Sequence, residues 1–175
     1  MSLWKTRVDL QKANIVDLSC DAIVNAANEY LASGGGVCGA IHEAAGPGLE
    51  HECQAIGHCP TGQAVITDAY NLPCGHVIHT VGPIYSGGAD AGEASLLASC
   101  YRESLRLAAA NGLTSIAFPS ISTGIYGYPI EDACRIALAS VKEGLAKFPK
   151  IRRVILVCFE YGDLDEYQRA LAEME

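Results

Sequence analysis

The chain has 175 residues, of which 50% are hydrophobic and 18% charged. That is enough apolar material for one core and too little charge for a disordered chain. Twelve Lys and Arg face twenty Asp and Glu, a formal net charge of −8, so a nucleic-acid-binding groove is disfavoured.

The start of the chain, Met1 to Lys5, carries no signal-peptide apolar region, and no segment reaches the ~18–20 apolar residues of a membrane span. A cytoplasmic protein without a membrane partner is expected. The eight cysteines contain no C-x-x-C pair and read as reduced, mostly buried thiols. No His–Cys cluster has the spacing of a zinc site, so no metal is expected.

Val8 to Leu10 read as part of a first strand, and Ala22 to Ala26 as a short buried one. Val37, Ala40, Ile41 and Ala44 have helical spacing, and Gly46-Pro47 ends that helix. A second short helix is predicted over Gly48 to Ile56. Ala64 to Thr67 and His76 to Val81 read as strands, with Asn71 to Gly75 turning between them. Ser86 to Gly92 is the best loop. Ala94 to Asn111 is an amphipathic helix closed by Gly112. Ser115 to Phe118 is a buried strand, and Pro129 fits the first turn of a helix running to about Phe148. Arg153 to Phe159 is the most strand-like run, and Asp163 to Met174 a last helix with Asp163 as its N-cap. Alternating strands and helices with no linker predict a single α/β domain over 1–175, with a mixed, largely parallel central sheet.

Two segments follow buried strands and precede helices. Gly34-Gly35-Gly36 opens the helix of Val37 and offers a backbone free of side chains, with unpaired N–H donors. Pro119 to Pro129 holds Ser122, Thr123 and Gly124 as donors and Tyr126 as an aromatic face for a sugar or base. Ligands of open α/β sheets bind at the carboxyl ends of strands, where both loops lie. No Lys or Arg occurs between Lys12 and Arg102. A diphosphate here must be held by amides and helix ends. Asn25 and Asn28 end the apolar strand, where an amide can grip a ribose hydroxyl or cap its own loop. His42 reads as a helix-surface or satisfied core histidine, His79 as a hydrogen-bonded core residue, and Asp21 as a turn-fixing carboxylate. No nucleophile elbow, P-loop or Rossmann glycine motif is present. The residues alone therefore point to a diphosphate–ribose ligand.

The stretches Asp21 to Asn28, Gly34 to Val37 with Gly39 to His42, Thr61 to Ala64, Val77 to Pro83 and Ser122 to Pro129 resemble a macrodomain, in family order and over most of the chain. The resemblance is greatest to the MacroD-type branch. It implies a three-layer α/β/α sandwich and a cleft for ADP-ribose. By motif, Asn28 would contact the distal ribose. Gly35, Gly36, Val37 and Cys38 would line the distal ribose and diphosphate, with Asn25 beside them. Ser122, Thr123, Gly124, Ile125 and Tyr126 would form the second diphosphate loop. Phe159 would pack against adenine. Asn14 and Ile15 would stand beside it, in a run that reads Ala13-Asn14-Ile15 where the family usually has Gly-Asp-Ile. Asn14 accepts through a neutral oxygen, and a charge-assisted bond is roughly twice as strong.

A second departure lies at the scissile end. The family's Gly-Gly-Gly-Val-Asp-Gly is Gly34-Gly35-Gly36-Val37-Cys38-Gly39 here, so the catalytic positions would be Asn28 and Cys38, without a carboxylate. The resemblance implies hydrolysis of O-acetyl-ADP-ribose or of mono-ADP-ribosylated acidic side chains. A non-catalytic ADP-ribose reader and an ADP-ribose 1″-phosphate phosphatase are the alternatives. The partners implied are ADP-ribose derivatives and mono-ADP-ribosylated proteins. No metal or organic cofactor is implied.

Overall fold

The computed structural model describes residues 2–87 and 92–175. Its strands are β1 (Val8–Lys12), β2 (Ala22–Ala26), β3 (Ala64–Asp68), β4 (His76–Thr80), β5 (Ser115–Phe118) and β6 (Arg153–Cys158). Its helices are α1 (Gly36–Ala45), α2 (Pro47–Ile56), α3 (Glu93–Ala110), α4 (Ile130–Lys147) and α5 (Tyr161–Glu173). The strands form one sheet in the order β1-β6-β5-β2-β4-β3. All pairs are parallel except β3 with β4, as the short β3–β4 turn requires.

Successive strand residues point to opposite faces, which sorts the core into two layers. Ala22, Val24, Ile116, Phe118, Val154 and Leu156 pack against α3, α4 and α5. Ile23, Ala117, Ile155 and Val157 pack against α1 and α2. The sheet is buried on both sides, which is why β2 and β6 read as continuous apolar runs. The architecture is the expected α/β sandwich.

The chain leaves β2 toward α1 on one face and β5 toward α4 on the other. These two strands are hydrogen-bonded neighbours, with Ala22 paired to Ile116. Connections that diverge to opposite faces from adjacent parallel strands leave a crevice at their carboxyl ends. Asp21 fixes the other end of the pair. Its carboxylate accepts from the Thr114 amide (2.8 Å), the Thr114 hydroxyl (3.1 Å) and the Ser115 amide (3.2 Å). Those bonds, the Thr114 amide foremost, hold its pKa below the usual range.

Some boundaries differ from expectation. Glu160, not Asp163, caps α5, and Asp163 falls inside the first turn. There a carboxylate still faces the positive helix end, so sequence composition does not separate the two positions. Pro129 precedes α4 as its N-cap. Short 3-10 helices at Leu3–Arg7 and Ile15–Asp17 have no hydrophobic period to announce them. Within the loop expected at Ser86 to Gly92, residues 88–91 lie outside the described residues. All eight cysteines are free, seven of them buried. Among the described residues, no helix is long and apolar enough to cross a membrane and no group of three or more His, Cys, Asp or Glu could hold a metal.

Candidate functional site

A cleft of about 230 Å³ opens where β2 and β5 end. Both glycine-bearing segments line it. From the first come Asn28, Gly34, Gly35, Gly36, Val37 and Cys38; from the second come Ser122, Gly124, Ile125 and Tyr126. Ala26, Ala27, Gly82, Ser120 and Ile121 complete the walls. No Lys, Arg, Asp or Glu is among them. Thr123 does not line the cleft; its hydroxyl donates to the Ser120 carbonyl at 3.0 Å.

The helix α1 starts at Gly36 with Gly35 as N-cap, and no side chain caps it. Its first N–H groups therefore remain free for a ligand. Gly36 has φ +57, and a Cβ there would meet nothing within 4 Å. The position needs glycine for its backbone angle and leaves the space before it open. At Gly39 an added Cβ would lie 2.3 Å from the Gly34 carbonyl oxygen. The helix is thus packed directly on the loop that precedes it.

Asn28 shapes this loop with its side chain. Its Oδ1 accepts from the Tyr30 and Ala32 amides, both at 3.1 Å, and its Nδ2 donates to the Ala32 carbonyl at 2.9 Å. The residue borders the cleft and holds its own backbone at once. Asn25 is different. It is fully buried beneath the cleft and does not line it. The alternation of β2 turns it, like Ile23, to the face covered by α1 and α2, where its Nδ2 faces His79 Nδ1 (3.1 Å) and Cys38 Sγ (3.7 Å).

With the Asn25 amide nitrogen facing the ring, His79 Nδ1 must accept. Nε2 then carries the proton and donates to the Thr67 hydroxyl at 2.9 Å, and Thr67 donates to the Asp68 carbonyl at 3.0 Å. His79 is the hydrogen-bonded core residue expected. Burial pushes its pKa down to about 3, helped by the charge of nearby His42. His42 is buried but not satisfied, because neither ring nitrogen has a partner among the described residues. Desolvation lowers its pKa too. Cys38 closes the network at the cleft wall, donating to the Ala32 carbonyl at 3.4 Å. The thiol is thus engaged with Ala32 and Asn25.

The second loop is fastened to the end of β4. Ser122 adopts φ +66, uncommon for a residue with a Cβ, and its hydroxyl donates to the Pro83 carbonyl at 2.7 Å. The Tyr85 amide donates to the Tyr126 carbonyl and the Tyr128 amide to the Ser122 carbonyl, both at 2.8 Å. Gly82 sits so close that an added Cβ would lie 2.2 Å from Ser122 Oγ. Of the wall residues, Ala26, Ala27, Gly82, Ser120 and Ile121 were not assigned from the sequence, although for Gly82 the Gly-Pro pair directly after a buried strand was a usable signal.

Asn14, Ile15 and Phe159 lie outside the cleft proper. The Ala13 amide donates to the Cys158 carbonyl, so Asn14 and Phe159 leave the paired strands β1 and β6 at one level. Phe159 is 78% exposed and Ile15 is buried. Asn14 Oδ1 already accepts from the Val16 amide at 3.3 Å.

The comparisons with known proteins agree with this geometry. A family model described as Macro domain matches residues 24–137. A Macro domain-containing protein of Chlorobaculum tepidum is 59% identical over 92% of this chain and 93% of its own length. A protein of Klebsiella pneumoniae named O-acetyl-ADP-ribose deacetylase is 52% identical over 91% of this chain and 93% of its own length. A mutant macrodomain of Oceanobacillus iheyensis, solved with ADPR, superposes with a TM-score of 0.89 at 42% identity, over 93% of this chain and 90% of that one. With the sheet order, the two loops and these matches in agreement, the chain belongs to the Macro domain family.

Proposed function

We propose that the cleft binds ADP-ribose and that the chain hydrolyses an ester on it, as O-acetyl-ADP-ribose deacetylation or removal of mono-ADP-ribose from acidic side chains. The observation that carries this reading is the convergence of two amide-rich loops, one ending in an uncapped helix N-terminus, on a cleft with no charged side chain. Such a cleft suits a diphosphate held by backbone donors. The deacetylase name of the Klebsiella pneumoniae relative supports the ester chemistry.

No carboxylate lines the cleft to act as a base. In our reading the ligand's own phosphate orients the attacking water, while Asn28 and Cys38 shape the space around it. The water oxygen bonds to the acyl carbon, the acyl–oxygen bond breaks, and the ribosyl oxygen leaves with the water's proton. Catalysis of this kind is chiefly positioning. Mass spectrometry of O-acetyl-ADP-ribose incubated with the protein tests it. Cys38→Ala is expected to keep measurable turnover and Cys38→Asp to raise it. A dead Cys38→Ala with intact ADP-ribose affinity by calorimetry defeats the phosphate-assisted route. The engaged Cys38 thiol favours one other reading, a non-catalytic ADP-ribose reader, for which calorimetric binding without any product is the expected result. Gly36→Glu, which sets a carboxylate in the open space before the helix, should abolish binding under either reading.

A further inference from the structure

A second groove, of about 370 Å³, lies on the far side of the Ser122–Tyr128 loop. Tyr85, Glu93, Tyr128, Asp132, Arg135 and Ile136 line it, with Ala94 at its edge. It shares a wall with the cleft, since Tyr85 bonds to Tyr126 and Tyr128 to Ser122 through the backbone. Nothing in the proposed ester chemistry uses it.

Glu93 is the feature that asks for a ligand. Only 8% of it is exposed. Its Oε1 accepts from the Ser86 amide at 2.8 Å, but its Oε2 is buried without a partner among the described residues. An unpaired buried carboxylate oxygen is costly and calls for a donor. The surrounding groups fit a cation. The Tyr85 and Tyr128 rings, 4.8 Å apart and tilted by 50°, line the same groove as the carboxylate, and aromatic rings attract cations. Asp132 adds a second negative charge. The one resident cation, Arg135, is turned to Glu173 on α5, with Nη1 to Oε2 at 3.3 Å. Burial and the carboxylates of Asp132 and Glu93 push the Tyr128 phenol up, which reports the negative field in the groove. The volume far exceeds the roughly 30 Å³ share of one water. Ile136 and Ala94 supply an apolar flank for an alkyl stem.

We infer that this groove is a second ligand site that takes an organic cation, an ammonium or guanidinium on a short alkyl stem, with Glu93 Oε2 as its acceptor and the Tyr85–Tyr128 pair as its aromatic wall. Two sources carry that chemistry. One is a lysine or arginine side chain of a protein whose modified residue occupies the neighbouring cleft; this source rests on the function proposed above. The other is a free amine, and the site itself depends on neither.

Backbone amide NMR of the full chain tests the site, with three probes: blocked Gly-Lys-Gly, blocked Gly-Arg-Gly and spermidine. Blocked Gly-norleucine-Gly serves as the uncharged control. Saturable shifts at Ser86 and Glu93 are expected with the charged probes and not with norleucine. Glu93→Gln keeps an acceptor for the Ser86 amide and should weaken binding about tenfold, with ADP-ribose affinity by calorimetry unchanged. Should Glu93→Gln fail to fold, Asp132→Asn, an exposed carboxylate on α4, is expected to weaken binding in the same direction. Tighter binding of the peptides than of spermidine assigns the site to protein side chains, and the reverse order to free amines. No saturable shift, equal binding of the norleucine peptide, or an affinity untouched by both variants overturns the inference and leaves Oε2 to an ordered water. ADP-ribose calorimetry on the same sample reads the first cleft separately, so failure of one site is distinguishable from failure of the other.

Discussion

The two loops that face each other across the cleft reach similar ends by different physical means. The loop after β2 is organised from within. Asn28 ties its own backbone with three hydrogen bonds, and the glycines beyond it leave the N–H groups of α1 bare. The loop after β5 closes on itself through the Ser122–Tyr128 bond and is anchored from outside as well. Ser122 is held at φ +66 by its bond to Pro83, and Tyr126 by the Tyr85 amide, so the end of β4 sets its shape. An anion cradle can therefore be built from local sequence or from tertiary contact, and the two kinds should fail differently.

The largest effects are expected where a glycine leaves no room for a methyl group. In Gly39→Ala the new methyl would stand 2.3 Å from the Gly34 carbonyl, which cannot rotate away. A loss of about 1–3 kcal/mol is expected from overpacking, with ADP-ribose affinity falling through the first loop alone. Gly82→Ala places its methyl 2.2 Å from Ser122 Oγ and 2.7 Å from Ile121 Cγ2, and should disturb the second loop by a comparable amount. Urea unfolding with amide spectra of both loops checks the pair. If both variants perturb both loops equally, the distinction between them is lost.

A smaller effect is expected for Asn28→Ala, which removes the internal organiser. About 1 kcal/mol should be lost with these exposed hydrogen bonds, and the amides of Tyr30 and Ala32 should exchange faster while that of Tyr128 does not. Hydrogen exchange decides it; protection lost equally at Tyr128 would show that the loops are not separately built.

The gentlest probe is pH. His79 sits under the first loop through Asn25 and Cys38, with a pKa lowered to about 3 in the folded chain. Between an unfolded value of about 6.5 and that folded value, the unfolded chain binds more protons. Stability contributed by neutral His79 is therefore complete above about pH 6.5 and lost as pH falls, at up to about 1.4 kcal/mol per pH unit. Buried His42 shifts in the same direction and adds to the trend. Denaturation midpoints from pH 7 to 4.5 should fall less steeply in His79→Gln. An unchanged slope would place the acid sensitivity elsewhere.

Much of the site was legible before the fold. Gly34 to Gly36 announced themselves by composition, and Ser122 to Tyr126 by punctuation after a buried strand. Both readings needed only the rule that ligands gather at strand ends. Asn25 and Asn28 could not be told apart, although Asn25 lies within β2 and faces α1 while Asn28 lies beyond the strand's end. Thr123 looked like a donor to the ligand and instead donates to Ser120. Glu93 was invisible as a site residue, since its role depends on what stands beside it from distant parts of the chain.

The order of residues along this chain was sufficient for the alternation of strands and helices, the buried parallel sheet, and a cleft that must bind without cationic side chains. These follow from hydrophobic period, glycine placement and charge distribution, which are local properties. Tertiary structure alone decided that helices leave β2 and β5 on opposite faces, that His79 meets Asn25 and Thr67, and that Ser122 is held at φ +66 by Pro83. Each of those depends on contact between segments far apart in sequence, and contact energies at such range are not written in any single stretch of residues.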